Sequence, residues 1–152
     1  MATSNLAAIY AALASKVITV DGKTPKVRGI NEPVGALSGA MLPLRILHPF
    51  GNATEAQSFA YRGTSNLARP TWRIVDFLAW QPVGVGVPPT GALVRYMAAY
   101  AEMLTGFKPA PGVNWVLQDA RMTPAVYPWP IDGDQWFYGV QVELVIMEVI
   151  SP

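Results

Sequence analysis

The chain has 152 residues, with 11 Lys+Arg against 10 Asp+Glu, a net charge of +1, one histidine and no cysteine. That length suits a single domain, 1–152, able to bury a core of its own. The missing thiols exclude disulfides, thiolate zinc sites, iron–sulfur clusters and cysteine nucleophiles, and the balanced charge gives no footprint for nucleic acid as main partner. Charged residues make up only 14% and apolar residues 51%, where charged residues average about 25% in globular chains. No apolar run approaches the roughly 18 residues of a membrane span. Burial against other protein chains is the predicted cover for the surplus apolar surface.

The first residues, Met1-Ala2-Thr3-Ser4-Asn5, lack the basic segment of a secretory signal, so an intracellular protein is expected. Ser4 is a candidate cap for a first helix, Ser4–Lys16. Leu6, Ile9, Tyr10, Leu13 and Val17 follow the spacing of one apolar face. Asp21-Gly22 predicts a hairpin turn between Val17–Val20 and Lys26–Ile30. After a Gly/Pro-rich loop, Met41–Leu47 reads as a short strand that Pro43 places at an edge or a bulge.

Polar residues dominate from His48 to Pro70, which reads as a long loop or arm (extended over 51–70) or a weak strand pair, with Gln57–Tyr61 its best extended segment. Trp72–Gln81 is apolar on both faces and predicts a central strand covered on both sides. A non-helical Pro/Gly connector, Pro82–Pro89, leads to Thr90, a candidate cap for the helix Thr90–Thr105. Its apolar face carries Leu93, Tyr96, Met97, Tyr100, Met103, Leu104 and Phe107, and Gly106 caps its end. Asn114–Arg121 predicts a strand and Thr123–Asp134 a turn-rich segment. Trp136–Ile150 reads as the longest strand, half exposed at its start and buried on both faces from Leu144 onward. Strands in runs with few helices predict an α+β fold, two helices on one face of a mostly antiparallel sheet.

Chemical motifs fail one after another. Gly84-Val85-Gly86 joins a strand to a helix, but Pro88 and Pro89 remove the backbone donors of a phosphate cradle, and the third glycine of a dinucleotide fingerprint is missing. The lone His48 cannot build a histidine metal site and has no serine elbow to serve. Asp132-Gly133-Asp134 with Glu143 matches the ends of a calcium loop, but Phe137 stands at its glycine position. Asp76, Glu102, Glu143 and Glu148 form no carboxylate pair on one short element. Arg28, Arg45, Arg62, Arg69 and Arg73 read as a solvated face or inter-subunit ion pairs. No catalytic, metal or cofactor-binding residue is predicted.

The informative residues are aromatic. Tyr127-Pro128-Trp129-Pro130 and Trp136-Phe137-Tyr138 set five aromatics beside two prolines, which suits an interface, a ligand pocket or a local core cluster. Tyr127, Trp129, Trp136 and Phe137, with Val83, Val85 and Val87 of the connector, are the candidate interface residues.

Three features carry a resemblance. An alanine-rich helix, Asn5–Leu13, opens into a hairpin. The strand Trp72-Arg73-Ile74-Val75-Asp76-Phe77-Leu78 leads through a loop into Leu93-Val94-Arg95-Tyr96-Met97-Ala98-Ala99-Tyr100, and a long apolar strand closes the chain. In this order and at this size the chain resembles the tail terminator, or tail completion, proteins of long-tailed bacteriophages and phage-like particles. The resemblance implies a non-enzymatic virion subunit, a homo-oligomeric ring of about six copies. That ring would cap the tail tube and join it to head-completion or neck proteins, with DNA able to pass through its channel. It supplies no catalytic residues. The stretch Gly51–Pro70 and the Pro/Gly connector depart from the pattern and suggest arms particular to this lineage. Another neck or capsid-associated protein, or a small-ligand-binding domain, are the competing readings.

Overall fold

A computed structural model describes residues 4–29, 39–47, 59–60, 63–64, 67–128 and 135–150. Its centre is a ladder of three long antiparallel strands. β6 (Thr71–Pro82) pairs with β8 (Trp136–Glu148) from Thr71↔Met147 to Pro82↔Phe137, and β8 pairs with β7 (Trp115–Pro128) along its whole length. On the other side of β6 lie β2 (Leu44–Leu47), antiparallel to it, and then β1 (Lys26–Arg28), parallel to β2. The order is β1-β2-β6-β8-β7, the short β3 (Phe59–Ala60) also pairs with β6, and β4 (Gly63–Thr64) pairs with β5 (Leu67–Ala68). With α1 (Leu6–Ala14) and α2 (Thr90–Thr105), this is the predicted α+β class.

Period-two alternation decides which side is covered. Ile74 and Leu78 of β6 and Val140, Val142 and Leu144 of β8 share a face. They are buried with Ile9 and Leu13 of α1 and Leu93, Tyr96 and Tyr100 of α2, so both helices pack there as expected. The other face carries a smaller core of Leu44, Ile46, Phe77, Ala79 and Phe137. β6 is therefore covered on both sides at its middle, as its two-sided apolar sequence requires.

Several local expectations are corrected. Asp21 and Gly22 do turn with positive φ (53° and 74°), the geometry of a tight hairpin. The ladder beyond them is the single bridge Val20↔Lys23, because Lys26–Arg28 pairs with β2 instead. β2 is an interior strand. Pro43 precedes it, and its carbonyl accepts from the Lys26 N–H. Val17, assigned to a buried helix face, is 74% exposed because α1 has ended by then. Thr90 makes no side-chain cap; Pro89 holds the cap position.

The predicted turn segment from Thr123 is strand as far as Pro128, so β7 has 14 residues and β8 has 13. Pro124 is tolerated there because, among the described residues, β7 is the edge of the sheet and one side of it has no ladder to feed. The expected two-sided burial after Leu144 does not occur. Val145 and Met147 stay half-buried, since no helix among the described residues covers that face.

Candidate functional site

Charged residues buried within the core all hold elements together. Arg45, on β2, and Asp76, on β6, point to the helix side of the sheet, and Arg45 Nη2 meets Asp76 Oδ2 at 2.6 Å with both side chains almost fully buried. The same guanidinium donates to the carbonyls of Lys16 (2.7 Å) and Leu13 (3.4 Å) at the end of α1. Tyr100 of α2 donates its hydroxyl to Asp76 Oδ2 at 2.7 Å. One ion pair thus ties α1, β2, β6 and α2. Burial disfavours the Arg45 charge, but the Asp76 carboxylate more than offsets this and holds the Arg45 pKa above its usual value.

The sequence places Arg45 on a solvated face or in an inter-subunit pair. Its burial between Leu44 and Ile46 within one chain corrects that. Tyr96 lies beside Tyr100, ring centroids 5.9 Å apart, and its buried hydroxyl has no hydrogen-bond partner among the described residues.

Glu148 closes the opposite end of α1. Its carboxylate accepts from Ser4 Oγ (2.9 Å), the Asn5 N–H, Asn5 Nδ2 (3.1 Å) and Trp72 Nε1 (3.0 Å). Ser4 accepts from the Leu6 N–H at 3.2 Å, but the helix runs only over Leu6–Ala14 and Asn5, not the expected Ser4, holds its cap position with no side-chain cap bond. Glu143 pairs with Arg73 at 3.3 Å on the open face. The carboxylates Asp76, Glu143 and Glu148 each serve a different partner, and no group of three or more His, Asp or Glu among the described residues is arranged to hold a metal. His48 and the Asp132–Asp134 turn lie outside the described residues.

Exposed large apolar side chains occur at several places, Val17, Val94 and Val116 among them, and one group of them lies where β6 ends and β8 begins. The Val83 N–H donates to the Trp136 carbonyl at 3.0 Å, joining the connector to the first residue of β8. Gln81 Nε2 donates to the carbonyls of Val85 (3.0 Å) and Val87 (2.9 Å), and Gly84 and Gly86 take the positive φ values that fold the loop back over that side chain. Val83, Val85 and Val87 are left 41%, 63% and 83% exposed, and Trp136 is 49% exposed.

Register places Val126 and Pro128 of β7 opposite Tyr138 and Trp136. Both positions lie on the face that carries the helices farther along, and both are exposed here. The sheet therefore overhangs its helices and ends in an exposed apolar surface. Val126 was missed because its segment read as turn.

Of the seven candidate interface residues, Val83, Val85, Val87 and Trp136 lie at this end of the sheet. Tyr127 occupies the other face, half-buried, its ring edge-on to Phe77 at 5.2 Å. Phe137 is a correction: at 2% exposure it belongs to the smaller core, because alternation along β8 turns it away from Trp136. Trp129 lies outside the described residues. No family model, curated protein or solved structure matches the chain.

Proposed function

We propose that this chain is a structural assembly subunit of the tail-terminator kind, a ring component that caps a tail tube and meets neck proteins in a virion. One observation carries the reading. The buried polar groups are spent on joining helices to sheet, while the exposed surface at one end of the sheet is apolar, aromatic and held in shape by Gln81. Rigid loops bearing valine and tryptophan suit protein–protein contact, since little conformational entropy is lost on docking. Among the described residues the 14-residue β7 pairs on one side only, so its other edge adds backbone groups that a neighbour can satisfy.

Solution mass with and without a tail-tube protein tests the reading. A cyclic oligomer, formed alone or on the tube, supports it. A monomer that ignores the tube and instead saturates with a small ligand overturns it.

A further inference from the structure

The turn at Asp21 and Gly22 is closed by the Val20 and Lys23 backbones, whose N–H groups and carbonyls exchange bonds of 2.9 Å, and no further ladder follows it. Beyond that bridge the Thr19 and Thr24 hydroxyls meet at 2.7 Å. Lys23 Nζ lies 5.6 Å from the Trp80 ring centroid, and Arg95 of α2 grips Asp21 from the other side. Its Nε donates to Asp21 Oδ1 and its Nη2 to Oδ2, both at 2.8 Å. Both side chains of this pair are exposed, so it adds little to stability. Its geometry bears on a chemical weakness of the turn.

We infer that Asp21–Gly22 is a modification site, where the backbone rearranges to isoaspartate, and that Arg95 is the residue that restrains it. Asp followed by Gly is open to this reaction because glycine has no side chain to block its nitrogen from the carboxyl carbon. Nothing lies within 4 Å of where a Cβ of Gly22 would stand. The Gly22 nitrogen attacks Asp21 Cγ, the new N–Cγ bond closes a succinimide, and one carboxyl oxygen leaves as water with the carboxyl and amide protons. Water then opens the ring at either carbonyl. Attack at Cγ restores aspartate, whereas attack at the main-chain carbonyl leaves isoaspartate, with the chain routed through the side-chain carbon. No oxidant or second reactant is consumed.

The attack needs a neutral carboxyl, free to turn toward the Gly22 nitrogen. Arg95 opposes both requirements. Its hydrogen bonds, with its charge and that of Lys23 added, hold the Asp21 carboxyl below the usual carboxylate range and keep it ionised. The bidentate grip also fixes both oxygens toward α2, a rigid element of 16 residues. Isoaspartate adds one main-chain atom to a two-residue turn and moves the carboxylate onto Cα, so the modified turn no longer presents both oxygens to Arg95 in this geometry. This chemistry does not depend on the ring reading.

Wild-type chain, Arg95→Gln and Arg95→Lys are incubated at about pH 6, where a small fraction of exposed carboxyls is neutral. Their digests are then mapped by retention and mass. Asp132–Gly133, the same dipeptide elsewhere in the chain, serves as an internal clock. Isoaspartate at Asp21 should accumulate severalfold faster in Arg95→Gln than in wild type, through a transient peptide lighter by one water. Arg95→Lys should fall between them, with the rate at Asp132 unchanged. Equal rates at Asp21 in all three chains, or a rise matched at Asp132, overturns the role of Arg95. Absence of isoaspartate at Asp21 in every chain overturns the site itself.

Discussion

Arg45 and Glu148 close the two ends of α1 with charges of opposite sign. The guanidinium donates to the carbonyls of Leu13 and of Lys16 at and just past the C-terminal end, and the carboxylate accepts from the Asn5 N–H at the N-terminal cap. Each charge opposes the partial charge of the helix end it meets, so both interactions favour the bound helix. A nine-residue helix is too short to persist in water on propensity alone. Burial of Ile9, Tyr10 and Leu13 supplies one part of its stability, and these two side chains supply the other.

Glu148→Ala removes the acceptor for Ser4, Asn5 and the Trp72 indole at once. A loss of about 2–4 kcal/mol is expected, read as a lower urea midpoint. Glu148→Gln keeps an acceptor but removes the charge and should lose about 1–2 kcal/mol. Amide exchange should accelerate in α1 more than in β7 in both variants. Equal acceleration in the two elements would contradict the clamp.

For the buried ion pair, Arg45→Met strands Asp76 in the core and should cost about 3–5 kcal/mol. The double variant Arg45→Met/Asp76→Leu should be less destabilised than either single variant, because neither charge is then left alone. Additive losses in that cycle would mean that the two residues do not interact.

Tyr96 and Tyr100 separate a hydroxyl that has a partner from one that has none. Tyr100→Phe should cost about 1.5–3 kcal/mol, the range for a hydrogen bond to a charged group. Tyr96→Phe should change stability by less than about 0.5 kcal/mol or raise it, since no described group loses a bond.

Alkali probes the same burial. Burial raises the Tyr10 pKa from 10.0 to about 12, and burial followed by the nearby Asp76 charge raises those of Tyr96 and Tyr100 well above 10.0. A phenol whose folded pKa exceeds its unfolded value contributes stability that is fully present below the unfolded pKa. That contribution is lost as pH rises through the folded one. The urea midpoint should hold steady to about pH 9 and fall from about pH 10 to about pH 12, together with the rise of tyrosinate absorbance. A flat midpoint across that window would contradict the burial of these rings.

Gly139 lies in β8 beside the irregularity between Ala79 and Gln81 on β6, and a Cβ there would run into the Leu78 carbonyl oxygen. That oxygen belongs to backbone and cannot swing aside. Gly139→Ala should therefore cost about 3 kcal/mol or more. Gly91→Ala, whose Cβ meets only the exposed guanidinium of Arg95, a side-chain end rather than backbone, should shift stability by less than about 1 kcal/mol. Similar melting of the two variants would refute this contrast.

Long periodic segments were the legible part of the sequence. α2 matched its apolar stripe from Thr90 to Thr105, and β6 matched its two-sided apolar run. Partners distant in sequence were not legible. Lys26–Arg28 carries no mark that it will choose Leu44–Ile46 over the nearer Val17–Val20. β7 runs past its expected end at Arg121 and through Pro124, which an edge strand tolerates, and only the register shows that the strand lies at the edge. Arg45 and Asp76 could have been suspected, since each interrupts an apolar strand, but only the register brings them together. At the apolar end, Val83 and Trp136 were readable as exposed anchors, whereas Phe137 could be assigned to the core only from its parity on β8.

Imaging of assembled particles that contain this chain tests the central claim most directly. The account predicts a ring of identical copies around an open channel at the head-proximal end of a tail tube, the apolar end of each copy covered by its neighbour. A single asymmetric copy within another complex, or a ring in which Val83 and Trp136 face solvent, would contradict it.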